Sequence, residues 1–211
     1  MSTASRDVAG TPAVSDPGER ARRPMRADAR RNRDAVLTAA VAAFAAHGAD
    51  ASLEDIARAA GVGVGTLYRH FPTREALVLG AYSREVERLA DSARQFAAEL
   101  PPAEALREWM RQFVQYAAAK RGMVDMLHAM VRDESDVFDH AKAQIRQAAT
   151  MLLEAAARSG DIRADMTAED LTRSMGGICM ASDPAAGPQC ATRLVDLVYD
   201  GLRFGATAAH R

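Results

Sequence analysis

The chain has 211 residues, of which 48% are hydrophobic and 26% are charged, and its formal net charge is −1. This length is enough for one or two hydrophobic cores. The longest apolar runs, such as AVAAFAA around Phe44, are far shorter than the roughly 20 residues that a membrane-spanning helix needs, and no export signal is recognisable. We therefore expect a cytoplasmic protein without a membrane partner.

Positive charge is concentrated in the first part of the chain. Residues 20–80 contain ten Arg against six Asp plus Glu, a net charge of +4, whereas residues 81–211 contain 16 Lys plus Arg against 19 acids, a net charge of −3. Within 20–33, seven Arg accompany a single Asp. Such a cluster favours a polyanionic partner, although a solvated tail has the same composition.

The N-terminal residues lack the pattern of a packed helix. Residues 1–27 are rich in Ser, Thr, Gly, Pro, Asp and Arg and have no periodic apolar positions, so we expect a disordered basic arm. From Asp28 the pattern changes. Apolar residues such as Val36, Ala40 and Phe44 then recur at steps of three and four, which predicts an amphipathic helix that ends at Gly48.

Two short helices follow. Ser52 is expected to cap the first, with Asp55 three residues later, and Gly61 ends it. The stretch GVGVGTLYRHF predicts the second over residues 64–71, stopped by Pro72. Two helices joined by a short glycine-containing turn are typical of a helix-turn-helix, whose second helix enters the major groove of DNA.

The remaining sequence is also predicted to be helical, because Ala, Leu, Met, Arg and Glu dominate it and no alternating β-branched run appears. Glycines and prolines divide it into helices near 74–98, 103–119, 123–131, 136–159, 167–181 and 189–207. The predicted fold class is all-α.

Residues 33 to about 82 resemble the TetR family of bacterial transcriptional regulators. The resemblance rests on AVLTAAVAAFAAHGAD, SLEDIARAAGV and GTLYRHFPTREAL. The last follows the family pattern Gly-Thr-Leu-Tyr-x-His-Phe, two spacers, a basic residue, Glu, x and Leu. It implies a three-helix helix-turn-helix domain over 28–75, followed by a helical effector-binding and dimerisation domain over 76–211.

The resemblance also implies a set of DNA-binding residues, which are Ser52, Val64, Gly65, Thr66, Tyr68, Arg69, His70 and Arg74. Val64 stands where many members have a polar side chain, so it offers only an apolar contact, for instance to a thymine methyl. Two alternatives stay open. Tyr68 could fill a gap between helices, and His70 could satisfy carbonyls at the end of its helix.

The second domain is rich in methionine and aromatic residues, which suit irregular apolar cavities. We hypothesise a pocket for a small apolar effector, lined by some of Trp109, Phe113, Met126, Met130 and Met151. The alternative is that Trp109 and Phe113 belong to an ordinary buried helix face. The last two helices carry apolar residues and glycines that allow close approach, and the resemblance implies a homodimer through them.

These features imply a ligand-responsive, sequence-specific DNA-binding regulator, in this family most often a repressor that acts as a homodimer on a pseudo-palindromic operator. The alternative is a helical adaptor that binds protein and not DNA, which leaves the basic first third unexplained. The sequence has no glycine-rich phosphate loop, no metal-ligand spacing and no evident nucleophile with a base, so we expect no enzyme, metal or cofactor.

Overall fold

The computed structural model describes residues 17–130, 135–182 and 188–204, and its regular structure in these ranges is entirely helical, which confirms the predicted fold class. In chain order the α-helices are α1 (Pro17–His47), α2 (Leu53–Ala59), α3 (Val64–His70), α4 (Arg74–Glu99), α5 (Pro102–Arg121), α6 (Val124–Met130), α7 (Ser135–Arg158), α8 (Ala168–Ala181) and α9 (Pro188–Phe204). One turn of 3-10 helix, Gly48–Asp50, follows α1.

The first helix is longer than expected. α1 begins at Pro17, so residues 17–27, which we expected to be disordered, are helical, while residues 1–16 lie outside the described part of the chain. Ala, Arg and Glu are good helix formers that prolong a helix whose later turns are packed, and Pro is favourable at a first helical position. The lack of apolar periodicity in this segment therefore did not exclude a helix.

The later helices begin and end close to their predicted positions. Inside the described ranges their bounds differ from the predictions by at most two residues, and the predicted ends at 131 and 207 lie outside these ranges. The agreement follows from strong local signals. Pro102 opens α5 directly after Pro101, and Gly122 follows its last residue.

The first four helices share one core. Phe44 of α1 and Leu67 of α3 are completely buried, and Ile56 of α2 and Leu77 of α4 are also inside. The first turn of α4 is capped by Thr73, whose hydroxyl accepts a hydrogen bond from the Ala76 amide at 3.1 Å. α4 continues from this core into the second half of the molecule, where it packs against α5 and α7.

The C-terminal helices form a second, continuous bundle in which α9 packs on α5. Polar contacts fix this packing. The Asp196 carboxylate of α9 accepts hydrogen bonds from Arg111 Nε and Nη2 at 3.1 and 3.0 Å, and from Arg107 Nε at 3.2 Å. Mainly because of the Arg111 hydrogen bond, the pKa of Asp196 lies below its ordinary value. The orientation of α9 on the bundle is therefore set by charged pairs as well as by apolar burial.

The two halves of the molecule meet in a close backbone contact at Gly122. A Cβ atom at this position would lie 2.4 Å from the Phe44 carbonyl oxygen and 2.6 Å from the Ala45 Cα. Both partners are backbone atoms near the end of α1, which cannot turn aside as a side chain can. Only glycine therefore fits between α5 and α6 while α1 keeps its position.

We expect Gly122→Ala to lower the free energy of unfolding by about 1–3 kcal/mol, the usual cost of overpacking, because the added methyl collides with the α1 backbone. The measurement is equilibrium unfolding in urea. Gly65→Ala is the matched control, since a Cβ there meets no atom within 4 Å, and we expect it to leave stability unchanged or raise it by up to about 1 kcal/mol. Equal stability of the two variants would contradict the contact.

Candidate functional site

The turn between α2 and α3 and the cap of α2 position the first part of the site. Gly61 adopts a φ of 69°, a left-handed conformation that glycine tolerates best. The Ser52 hydroxyl accepts a hydrogen bond from the Asp55 amide at 3.2 Å, which confirms the predicted cap. In a complete capping box the side chain three residues after the cap also accepts a hydrogen bond from the backbone amide of the cap residue. Here the Asp55 carboxylate pairs with Arg58 instead.

Helix α3 has a buried side and an exposed side. Leu67 is completely buried and Phe71, directly after the helix, is 4% exposed, because residues four apart lie on the same side of a helix. On the opposite side, Val64 and Tyr68 are 42% and 44% exposed, and Arg69 is exposed as well. The exposure of Tyr68 does not support the alternative in which it fills a gap between helices. Neither Tyr68 nor Arg69 has a hydrogen-bonding partner among the described residues.

Thr66 and His70 lie at the margins of this exposed side and are half-buried. His70 Nε2 is buried and has no hydrogen-bond partner in the described part of the chain. The carbonyl partner that the alternative role of His70 requires is therefore not present at this atom. A buried polar nitrogen without a partner is costly, so this imidazole is a conspicuous exception in an otherwise satisfied domain.

Arg74 is tied to the protein itself. Its Nη1 donates to the Ala49 carbonyl oxygen at 3.1 Å, and its Nη2 donates to the carbonyl oxygen of Ala51. These bonds join the start of α4 to the connection that precedes Ser52. Arg74 thus positions α2. Its contact with a DNA phosphate stays a prediction, and such a contact would use the same guanidinium that binds these two carbonyl oxygens.

A cavity of 510 Å³ lies between α4, α5, α6, α7 and α8. Its apolar lining comes from all five helices, namely Tyr82, Phe113, Tyr116, Ala117, Val124, Phe138, Ile145, Cys179 and Met180. The aromatic rings pack on one another, with Tyr82 and Phe138 centroids 5.6 Å apart. A second group of lining side chains is basic or titratable, namely Lys120, Arg121, His128, Lys142 and Arg146.

Of the five residues predicted to line a pocket, Phe113 alone borders this cavity. Trp109 is completely buried in the core, where its Nε1 donates to the Leu89 carbonyl oxygen at 3.0 Å, as the alternative of an ordinary buried helix face describes. Met126 and Met130 pack against the core. Met151 is 37% exposed and lies on the outside of α7. Methionine content indicated an adaptable interior but could not say which side chains face a void.

Sequence reasoning missed the basic half of the cavity. Lys120 and Lys142 are the only two lysines in the chain, and both line it. Burial and the positive charge of Lys142 lower the pKa of Lys120, whose Nζ lies 5.8 Å from the centroid of the Tyr82 ring. Burial also raises the pKa of Tyr116. The scarcity of lysine was a signal available in the sequence.

A second exposed feature runs along α8 and α9. Met180, Leu197 and Phe204 are 86%, 66% and 74% exposed, and Leu194 is 38% exposed. Gly177 and Gly201 lie in the same helices, and a Cβ at either would meet no atom within 4 Å. The packing of this subunit alone therefore gives no reason for their small size. We call Gly177, Met180, Leu194, Leu197, Gly201 and Phe204 the α8–α9 apolar face.

Among the described residues, no three or more His, Cys, Asp or Glu side chains are arranged to hold a metal ion. None of the helices in the described ranges has the combination of length and hydropathy that crossing a membrane requires.

Comparison with protein families identifies both halves of the chain. Residues 36–81, which contain α2 and α3, match the family described as "Bacterial regulatory proteins, tetR family". Residues 101–204 match "Transcriptional regulator SbtR-like, C-terminal domain". No match to the chain was found among curated proteins.

Solved structures give the same assignment. The TetR transcriptional regulator SCO0520 from Streptomyces coelicolor is 52% identical, with a TM-score of 0.75 over 81% of this chain and 98% of that one. The TetR transcription regulatory protein from Mycobacterium vanbaalenii is 39% identical, with a TM-score of 0.69 over 85% of this chain and 99% of that one. The sequence-based expectation is confirmed: the chain belongs to the TetR family of bacterial transcriptional regulators, and α2 and α3 are its DNA-binding helix-turn-helix.

Proposed function

We propose that the protein is a ligand-responsive repressor that binds a pseudo-palindromic operator as a homodimer. The observation that carries this proposal is the contact of Gly122 with α1. Arg121 and Val124, on either side of Gly122, line the cavity, and Gly122 itself presses on the backbone of Phe44 and Ala45. A ligand that moves this turn moves α1, and with it the helix-turn-helix that α1 supports.

A ligand acts on DNA affinity only if it binds one conformation better than the other. In a two-fold dimer the relevant difference is the separation of the two α3 helices, because operator half-sites have a fixed spacing. A tilt of α1 changes that separation. The coupling between two such sites is typically about 1–3 kcal/mol, or roughly 5- to 150-fold in affinity.

The α8–α9 apolar face supports the homodimer. Contiguous exposed apolar side chains on a small protein mark an interaction surface, and the glycines among them allow another helix to approach closely. The hydrogen bonds from Arg107 and Arg111 of α5 to Asp196 hold α9 against α5. Association of two copies about a two-fold axis buries this face and matches the symmetry of a pseudo-palindrome.

The exposed side of α3 supports the DNA contacts. We assign Val64, Gly65, Tyr68 and Arg69 to the major groove, since they form its exposed row. Ser52, Thr66, His70 and Arg74 are assigned to the margins, where hydroxyl, imidazole and guanidinium groups suit phosphate oxygens. A helical adaptor without DNA binding, the alternative, gives no reason for an unpaired phenol and guanidinium on this helix, and membership of a regulator family favours the repressor.

Selection from random duplexes tests the proposal directly. We expect the protein to enrich sites with two inverted half-sites whose centres lie about 10 base pairs, or a multiple of that, apart. Sedimentation of the complex should give an even number of chains per selected duplex. Asymmetric sites bound by one chain would contradict the homodimer.

Removing the α3 side chains should weaken binding to the selected duplex without unfolding the protein. We expect Tyr68→Ala and Arg69→Ala each to cost about 1–3 kcal/mol if they contact bases, while Tyr68→Phe isolates the hydroxyl. Fluorescence anisotropy measures affinity, and a thermal melt verifies folding. Arg94→Ala, an exposed arginine of α4, is the charge-matched control. Unchanged affinity in both α3 variants would remove these residues from the interface.

The dimer interface can be tested by adding one charge to it. We expect Leu197→Arg to yield monomers at micromolar concentration, because an unpaired guanidinium would be buried between the subunits. Met151→Arg is the matched control, as Met151 is also an exposed apolar residue but lies outside the α8–α9 apolar face. Light scattering gives the mass of both. A dimeric Leu197→Arg variant, or a monomeric wild type, would refute this interface.

A further inference from the structure

The charges around the cavity are of one sign. Four cationic side chains border it, those of Lys120, Arg121, Lys142 and Arg146, and no Asp or Glu is among its lining residues. The whole chain has 27 Lys plus Arg against 28 acids, so a lining of one sign does not follow from the overall composition. Within the lining itself, no carboxylate balances these cations.

The partners of these cations differ in a way that locates the unbalanced charge. Arg121 donates to the carbonyl oxygen of Cys179, and Lys142 pairs at 3.2 Å with Asp139, where both side chains are more than 70% exposed, at 75% and 73%. Lys120 has no carboxylate partner among the described residues, and its contact is with the face of the Tyr82 ring. A half-buried ammonium without an anion is costly, and a second ammonium nearby adds to the cost.

The choice of lysine is specific to this site. Arginine supplies every other cationic side chain of the sequence, and the two lysines both border the cavity. Arginine is the better partner for fixed, planar pairs inside a protein, whereas lysine places a compact charge on a flexible stem. Two such stems at one cavity suit an anionic group that arrives from solution and is not part of the fold.

The other walls are apolar. Phe113 and Tyr116 pack edge to face with centroids 5.5 Å apart. Phe138 and Ile145 of α7 also line the cavity. A volume of 510 Å³ lies within the range of about 300–1,000 Å³ that is usual for small-molecule sites. The cavity lining therefore combines aromatic and aliphatic side chains with cationic ones.

We propose that the effector is an organic anion with an apolar body, whose acidic group binds Lys120 and whose body lies against the Phe113 and Tyr116 rings. This inference rests on the proposed function in taking the cavity as the effector site. It adds an acidic group to the small apolar effector that methionine content suggested. The anion supplies the counter-charge that the lining lacks.

Two fluorescent probes that share one apolar body test the charge. 1-Anilinonaphthalene-8-sulfonate carries a sulfonate, and N-phenyl-1-naphthylamine is the same molecule without it. With the full chain we expect the sulfonate to bind at least about tenfold more tightly, as one charged hydrogen bond provides. Equal affinity of the two probes, or no saturable binding of the sulfonate, overturns the inference.

Variants assign the charge preference to the cavity. Lys120→Met keeps the length of the side chain and removes its charge, and we expect it to weaken the sulfonate about tenfold and to leave the neutral probe unchanged. Lys120→Arg should restore most of the preference, and Arg94→Met, outside the cavity, should preserve it. Lys142→Met, which changes the more exposed of the two lysines, repeats the test if Lys120→Met fails to fold. A preference that survives both Lys→Met changes overturns the assignment.

Amine acetylation gives a readout without mutation, because the chain has only two lysines. We expect a saturating concentration of the sulfonate to slow acetylation of Lys120 relative to the N-terminal amine, as measured by mass spectrometry, while the neutral probe has a smaller effect. Lys120 acetylation at an unchanged rate with the sulfonate bound would place the probe elsewhere and overturn the inference.

The two proposals fail separately. Affinity for the selected DNA duplex is measured in the presence of each probe, after probe binding itself has been measured. Anion selectivity that depends on Lys120, with DNA affinity unchanged, supports the inference and counts against ligand-responsive repression. Probes that alter DNA affinity but bind without regard to charge support the repressor and overturn the anionic effector.

Discussion

The contact of the Gly122 backbone with the end of α1 is the constraint on which the rest of the structure depends. It is the place where the turn between α5 and α6 touches the carbonyl oxygen of Phe44, a residue at the centre of the first core. A second close approach continues from there: a Cβ on Gly80 of α4 would lie 2.9 Å from the Phe71 ring and 3.1 Å from Leu37 of α1. Phe71 directly follows α3, so α1, α4 and the end of α3 are joined by packed side chains rather than by a flexible linker.

The helix-turn-helix could be predicted from the sequence because its determinants are local. Ser52 and Thr73 cap helices within three residues of their own positions, and Gly61 adopts the positive φ that its position at the turn suggested. The spacing of Leu67 and Phe71 decides which side of α3 is buried whatever the neighbouring helices are. The same local logic failed for residues 17–27, since a sequence without apolar periodicity can still be helical.

The cavity could not be predicted in the same way, because five helices contribute to it. Trp109 and Phe113 are one turn apart on α5, yet the indole reaches the Leu89 carbonyl oxygen on α4 while the phenyl ring borders the void. Helical periodicity shows that both are buried and says nothing about which neighbour each one meets. Tyr82 and Phe138 meet across the cavity from α4 and α7, and nothing in their sequence spacing of more than fifty residues indicates that contact.

The cationic character of the cavity also limits how an effector can act. Its lining residues belong to α4 through α8, and none belongs to α1, α2 or α3. Charges in solution are screened over about 8 Å at physiological ionic strength, so an anion among Lys120 and its neighbours does not repel DNA phosphates directly through the field. Under our proposal the anion acts locally, by placing a counter-charge beside Lys120 near the end of α5. Because Gly122 meets the α1 backbone without a side chain between them, this contact is the route by which we propose that a bound anion shifts α1.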